Sequence, residues 1–289
     1  MSKKLHFMIR NLIALLLLLT PLLVSAQDAE YPDGVFSFEP GTTQKVFVNG
    51  ANVRSQPNMQ APVLDSLRSN QSVTILEKDS IVWKIGERRT VWYRIQYSKN
   101  SQPATGFIWG GTLCVGFRKK GPHDLLFGIS KTTSKNSPET GQSFPQNTGS
   151  VKLMQDTILV DEVSFEMPSG ESLSVGSFAV ESNHRLQNVA YTVKAGVSGE
   201  ACGISGYEQY VLVTEDQHLV ALPQLMSVGD ADVYHHDEGF VFPNDPGGQP
   251  NIIVMKTEEM EKNERTGKEH TKRSRTRYTW DGTRLTKTR

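Results

Sequence analysis

The chain has 289 residues, 31 Lys and Arg against 31 Asp and Glu, and 37% hydrophobic residues. That length suits about two domains of ~100–200 residues each, and the composition is too polar for a multi-span membrane protein. A net charge of zero removes the global electrostatic pull toward DNA or RNA, so no nucleic-acid partner is expected.

Lys3, Lys4 and Arg10 precede an apolar run at 12–19, and Val24-Ser25-Ala26 places small residues at a cleavage position. Residues 1–26 therefore read as a secretory signal peptide. Pro21 and the short run set it apart from a membrane anchor, which needs ~20 apolar residues. Export to the periplasm or beyond is the expectation, with no transmembrane span after cleavage. The remaining chain would carry 28 basic and 31 acidic side chains.

Residues 27–44, with Pro32, Gly34, Pro40 and Gly41, read as an extended lead-in. Val35, Phe36 and Phe38 can dock there as an added edge strand. Residues 45–116 then carry a series of short β-branched and aromatic blocks bounded by Gly, Pro, Asn or Ser. These are Val48-Asn49-Gly50-Ala51-Asn52-Val53-Arg54-Ser55-Gln56-Pro57, Ala61-Pro62-Val63-Leu64-Asp65-Ser66-Leu67, Gln71-Ser72-Val73-Thr74-Ile75-Leu76, Val91-Trp92-Tyr93-Arg94-Ile95 and Thr105-Gly106-Phe107-Ile108-Trp109. In that order, and with the asparagine-valine-arginine-serine opening, the stretch strongly resembles the bacterial SH3 family. The resemblance implies a small SH3-like β-barrel and recognition of peptidoglycan or peptide. Three departures fall on its loops and end: Gln56 between the serine and the proline, a charged insertion at 79–89 carrying Trp83, and Trp109-Gly110-Gly111 as the ending.

Alternation assigns Val91, Tyr93, Ile95 and Tyr97 to the barrel core and leaves Trp92, Arg94 and Gln96 on the other face, Trp92 near the surface. Trp92 and Trp109, with Asn52 and Arg54, are the candidate contacts for an extended peptide or glycan, because Trp and Tyr surfaces make good anchors. Equally, Trp109 reads as a core residue, and Asn52 and Arg54 as turn and surface residues.

Residues 117–289 read as a second all-β domain, an antiparallel β-sandwich or β-meander. Residues 131–150 hold Ser, Thr, Asn, Gly and Pro with few aliphatic side chains, the composition of a mobile loop. Strand-like blocks recur at 157–160, 163–167, 177–180, 189–193, 210–213, 239–242 and 252–255. No long helical periodicity interrupts them, although 257–264 tolerates a helix. Asp281-Gly282 between alternating runs signals a terminal hairpin with a type I′ turn. This half resembles the C-terminal regions that accompany SH3-like modules in exported proteins of Bacteroidetes-type bacteria, on its Glu200-Ala201-Cys202-Gly203 and Trp280-Asp281-Gly282 segments. That likeness implies no activity.

Chemistry has few footholds. Asp230, Asp232, His235 and His236 are dense enough in donors to hold a divalent metal, but their spacing matches no closed motif, and a solvated acidic turn is the competing reading. Cys114 and Cys202 are the only cysteines, and an exported protein permits their pairing; two free thiols are the alternative. Cys202 as a nucleophile would need a nearby base, with His184, His218, His235 and His236 as the choices. The basic run of Arg273, Arg275 and Arg277 shares one strand face and suits anionic glycan or lipid, or simply a solvated edge. No catalytic motif or cofactor site stands out. The sequence points to a non-catalytic binding protein of the cell envelope, with a cell-wall peptide or glycan or another envelope protein as partner. The alternatives are a Cys–His cell-wall hydrolase and a purely structural interaction subunit.

Overall fold

The structure is a computed structural model describing residues 31–137, 141–170 and 172–288; the signal peptide expected at 1–26 lies outside them. Tyr31–Arg289 form one compact unit. The fold is all-β, as the strand-rich sequence implies, with three antiparallel sheets and, among the described residues, no α-helix.

The first sheet holds β1 (Thr43–Lys45), β2 (Ala51–Arg54), β3 (Val63–Leu67), β4 (Ser72–Ile85), β5 (Arg88–Lys99) and β6 (Gln102–Trp109), in the order β1-β4-β5-β6-β2-β3. It curls into the half-barrel of an SH3-like domain. Its core residues alternate as the β period demands: Val91, Tyr93, Ile95 and Tyr97 are all buried. The charged insertion lengthens β4 and β5 into a hairpin closed at Gly86 and Glu87, where Gly86 takes a φ of 62°. The lead-in docks, but as a 3-10 turn (Gly34–Phe36) rather than the expected edge strand. The Tyr93 hydroxyl fixes it, donating to the Phe36 carbonyl at 2.7 Å and accepting the Phe38 amide at 3.1 Å. Burial pushes that phenol up to about 12.

The second sheet holds β7 (Gly116–Lys120), β8 (His123–Asn136), β9 (Ser143–Gln155) and β10 (Ile158–Met167), in the order β10-β9-β8-β7. The third holds β11 (Leu173–Glu181), β12 (Val189–Gly199), β13 (Gly206–Thr214), β14 (Leu219–Ala221), β15 (Leu225–Asp230), β16 (Tyr234–Val241), β17 (Ile252–Lys262), β18 (Glu269–Trp280) and β19 (Leu285–Lys287). Its order is β11-β12-β13-β15-β16-β17-β18-β19, with β14 on a second stretch of β13.

One apolar cluster runs through all three sheets, from Val53, Ile75 and Ile95 through Leu125, Phe127 and Val151 to Phe178, Val193 and Val211. Phe127 stacks on Phe165 and Phe178, so rings from β8, β10 and β11 meet in one place. A second cluster gathers Leu212, Phe242, Ile253 and Trp280. Val211 and Leu212, neighbours on β13, belong to different clusters, so this strand is covered on both faces. Beyond that cluster β16, β17 and β18 run outward with few buried residues.

Three expectations are corrected. Most of the stretch expected to be a mobile loop at 131–150 lies in β8 and β9, paired from Ile129↔Gly149 to Asn136↔Ser143. Several of its polar side chains find partners: Thr132 Oγ1 donates to Asn147 Oδ1 at 2.6 Å, and the Ser150 and Ser164 hydroxyls lie 2.7 Å apart. A ladder nucleated by the apolar 125–129 and 151–154 segments extends outward on backbone and hydroxyl bonds, without aliphatic residues of its own. The helix-tolerant 257–264 segment is strand as far as Lys262, paired on both sides. The terminal turn spans Asp281 to Arg284, with Gly282 at positive φ but not Asp281, so it is not type I′. The Asp281 carboxylate organises it by accepting the Thr283 and Arg284 amides at 2.9 and 2.8 Å, which lowers its pKa.

Candidate ligand-binding grooves

Trp92 and Trp109 stand directly opposite each other across β5 and β6, as their alternation requires. Together they do not line an open groove. Trp92 is 1% exposed and Trp109 8% exposed. The surface position expected for Trp92 is therefore wrong, and the reason lies on its own side of β5. Arg88, on the same side, donates to the Gly111 carbonyl at 2.7 Å and the Ile129 carbonyl at 3.2 Å, bringing β8 against this face. Its guanidinium also lies over the Trp109 ring. Asn52 is exposed on β2, while Arg54 is half-buried and donates to the Ala61 carbonyl at 2.7 Å, a contact that shapes the β2–β3 loop. The four residues do not assemble into one site.

The barrel offers a different surface. Along β1, β4, β5 and the turn into β6 lies a groove of about 340 Å³, lined by Thr43, Thr74, Gln96, Tyr97, Ser98 and Gln102 among others. No charged side chain lines it. Thr74 and Gln96 face each other across β4 and β5. Tyr97 borders the groove but turns its ring into the barrel core, where burial and the Asp65 carboxylate push its phenol above the usual range. A floor of hydroxyls and amides can hydrogen-bond a peptide backbone or a glycan without selecting for charge.

The metal candidates separate for a geometric reason. Asp230 faces Tyr234 at the end of the β15–β16 hairpin, and Asp232 sits in its turn. His235 and His236 are consecutive strand residues and project to opposite faces. His236 Nε2 lies 3.4 Å from Glu238 Oε1, while His235 stands opposite Gly229. Among the described residues no three His, Cys, Asp or Glu side chains are grouped to hold an ion.

The cysteines do not pair. Cys114 is buried among Phe47, Leu126 and Met154, and burial drives its thiol far up; Cys202 is exposed in the β12–β13 connection. Cys202 does share a cavity with His235. This groove, of about 730 Å³, lies on the face of β11, β12, β13, β15 and β16. Among the described residues, however, neither a hydrogen bond nor an ion pair joins them, so no nucleophile–base pair is assembled. What sequence reasoning missed here is the floor, which includes Gly196, Gly206, Gly229, Ser177, Ser198 and Ser227. A signal was present: no Lys or Arg occurs between Lys194 and Lys256, a span with nine Asp and Glu and many glycines.

Among the described residues no helix is long and apolar enough to cross a membrane. No curated protein and no solved structure matches the chain. The family comparison does give a match, to the bacterial SH3 domain over residues 49–113. That span runs from the turn before β2 to Leu113, the end of the curled sheet just described, so the barrel of this chain belongs to the bacterial SH3 domain family.

Proposed function

We propose that this is an exported, non-catalytic binding protein of the cell envelope, and that its SH3 domain recognises peptidoglycan or a peptide derived from it. The reading is supported by the bacterial SH3 match together with the uncharged groove across β4 and β5. Export rests on the basic-then-apolar start of the sequence. The binding chemistry is hydrogen bonding from Thr74, Gln96 and Ser98 to an uncharged, extended ligand.

The test is co-sedimentation of the mature chain with purified peptidoglycan. The whole chain is the right reagent, because the barrel shares its apolar cluster with the other two sheets. A double variant, Thr74→Arg and Gln96→Arg, puts bulk and charge across the groove and should weaken retention about tenfold or more, ~1.4 kcal/mol. No retention of the unmodified protein would end the reading. Equal retention of both proteins would move the site off this groove.

A further inference from the structure

Glycine inside a strand needs a reason, because it weakens the strand by about 0.5–1 kcal/mol relative to alanine. Most glycines near the large groove have one. A Cβ on Gly196 would lie 2.8 Å from Ser177 Oγ, and one on Gly199 would strike the Ile204 carbonyl. Gly229 and Gly239 have none. Both keep φ outside the left-handed region, and a Cβ on either would meet nothing within 4 Å. They also lie on one face. Gly229 stands opposite His235, and Gly239 follows His235 by four residues on β16, about 14 Å along the strand.

Each of these glycines lines a cavity, and the two cavities differ in charge. Gly229 lines the 730 Å³ groove, whose charged lining is Glu200 and Glu208, with His235 and without a lysine or arginine. Lys194 binds Glu208 at 2.6 Å, whereas among the described residues the Glu200 carboxylate meets only the Ser174 hydroxyl. Gly239 lines a neighbouring cavity of about 390 Å³ whose carboxylates are Asp237 and Glu258 and whose cations include Lys256 and Arg275. Those two cations sit directly opposite each other on β17 and β18, in the row Gly239↔Lys256↔Arg275. Like charges so placed oppose the pairing. The third cation of that cavity, Arg273, is held by Glu258 at 2.6 Å. Among the described residues neither Lys256 nor Arg275 has an ion pair or a side-chain hydrogen bond.

We propose that this sheet face is a second ligand site, separate from the barrel, that takes an extended zwitterionic peptide. Its ammonium end lies over Gly229 beside Glu200, and its carboxylate over Gly239 between Lys256 and Arg275. The bare glycines let the two ends of the peptide lie against the sheet while its middle passes the exposed Asp237 on the same face, and the opposed charges set its direction. Side chains at both positions would fill the space the ligand needs.

The test is amide NMR titration of the mature chain with penta-alanine, which spans roughly 17 Å when extended. Saturable shifts confined to β15–β18 are expected, with N-acetylated and C-amidated penta-alanine each binding about tenfold or more weakly. Gly229→Val and Gly239→Val should each abolish those shifts while leaving the barrel resonances in place. In the Lys256→Ala, Arg275→Ala double variant the free and amidated peptides should bind alike. The Thr74→Arg, Gln96→Arg variant should titrate like the unmodified protein, which keeps this site distinct from the barrel groove. Absence of saturable shifts, equal binding of capped and free peptides, or valine variants that bind normally would overturn the proposal. So would concentration-dependent dimerisation abolished by the same valines, because the occupant of the face would then be a second copy of the chain.

Discussion

Gly128 on β8 and Gly239 on β16 are both strand-interior glycines outside the left-handed region, yet they answer to opposite demands. A Cβ on Gly128 would lie 2.5 Å from the Phe47 ring, inside the tightly filled contact between the barrel and the second sheet. One on Gly239 would project into open space. In the first region packing dictates the residue. In the second it does not, and the choice has to come from something the strand faces. The carboxylates divide along the same line. Asp33 is buried against the β5 start, and desolvation raises its pKa although the Arg89 amide and guanidinium oppose the shift. Asp281, fully in water, is lowered by the backbone amides it accepts.

Gly128→Ala gives the larger effect. Phe47 is 1% exposed and cannot swing into solvent, so overpacking should cost about 1–3 kcal/mol. Thermal or urea unfolding of the variant measures this directly. A stability unchanged from that of the parent would mean the contact is looser than the ring distances imply, and the contrast between the two regions would lose its first half.

The paired carboxylates sharpen the comparison through opposite pH slopes. A raised carboxyl pKa means that the folded state holds the proton more readily than the unfolded one. Asp33 therefore weighs against folding above its folded pKa, and that cost fades as the pH falls toward the ordinary 3.8. For Asp281 the folded pKa is depressed, so its contribution is present above 3.8 and is lost as the pH falls through the lower value. Relative to the parent, Asp33→Asn should lose ground on acidification and Asp281→Asn should gain. Unfolding midpoints of the three proteins from pH 7 to pH 3 test the sign, and parallel curves would refute it.

These contrasts also mark what a sequence can show. The barrel was legible because its signals are local: alternation placed Tyr93 and Ile95 inside, and the asparagine-valine-arginine-serine opening fixed its kind. Alternation says which face a residue takes, but not what covers that face, and so Trp92 was misplaced by a neighbouring sheet. The Ser- and Thr-rich 131–150 stretch misled for a related reason. Its order comes from strands on either side, and composition carries no record of neighbours. The candidate site was least legible. Gly229 and Gly239 are ten residues apart in sequence and reach one face only through the β15–β16 hairpin. Their lack of a packing role is visible only when the space above them is.

Gly239→Ala is therefore the smallest effect and the most informative. With ordinary φ and no atom within 4 Å of the added methyl, no strain or collision arises. Alanine narrows the conformations open to the unfolded chain, so the variant should match the parent or exceed it by up to about 1 kcal/mol. Chemical denaturation followed by tryptophan fluorescence suits the measurement, because Trp280 lies in the cluster at the base of these strands and donates to the Gln187 carbonyl at 2.7 Å. A loss comparable to that of Gly128→Ala would show that the glycine has a structural duty after all. The two regions would then obey one rule, and the main reason for placing a ligand over Gly239 would be gone. Stability kept or gained, together with lost peptide binding in Gly239→Val, would instead assign this glycine to the ligand rather than to the fold.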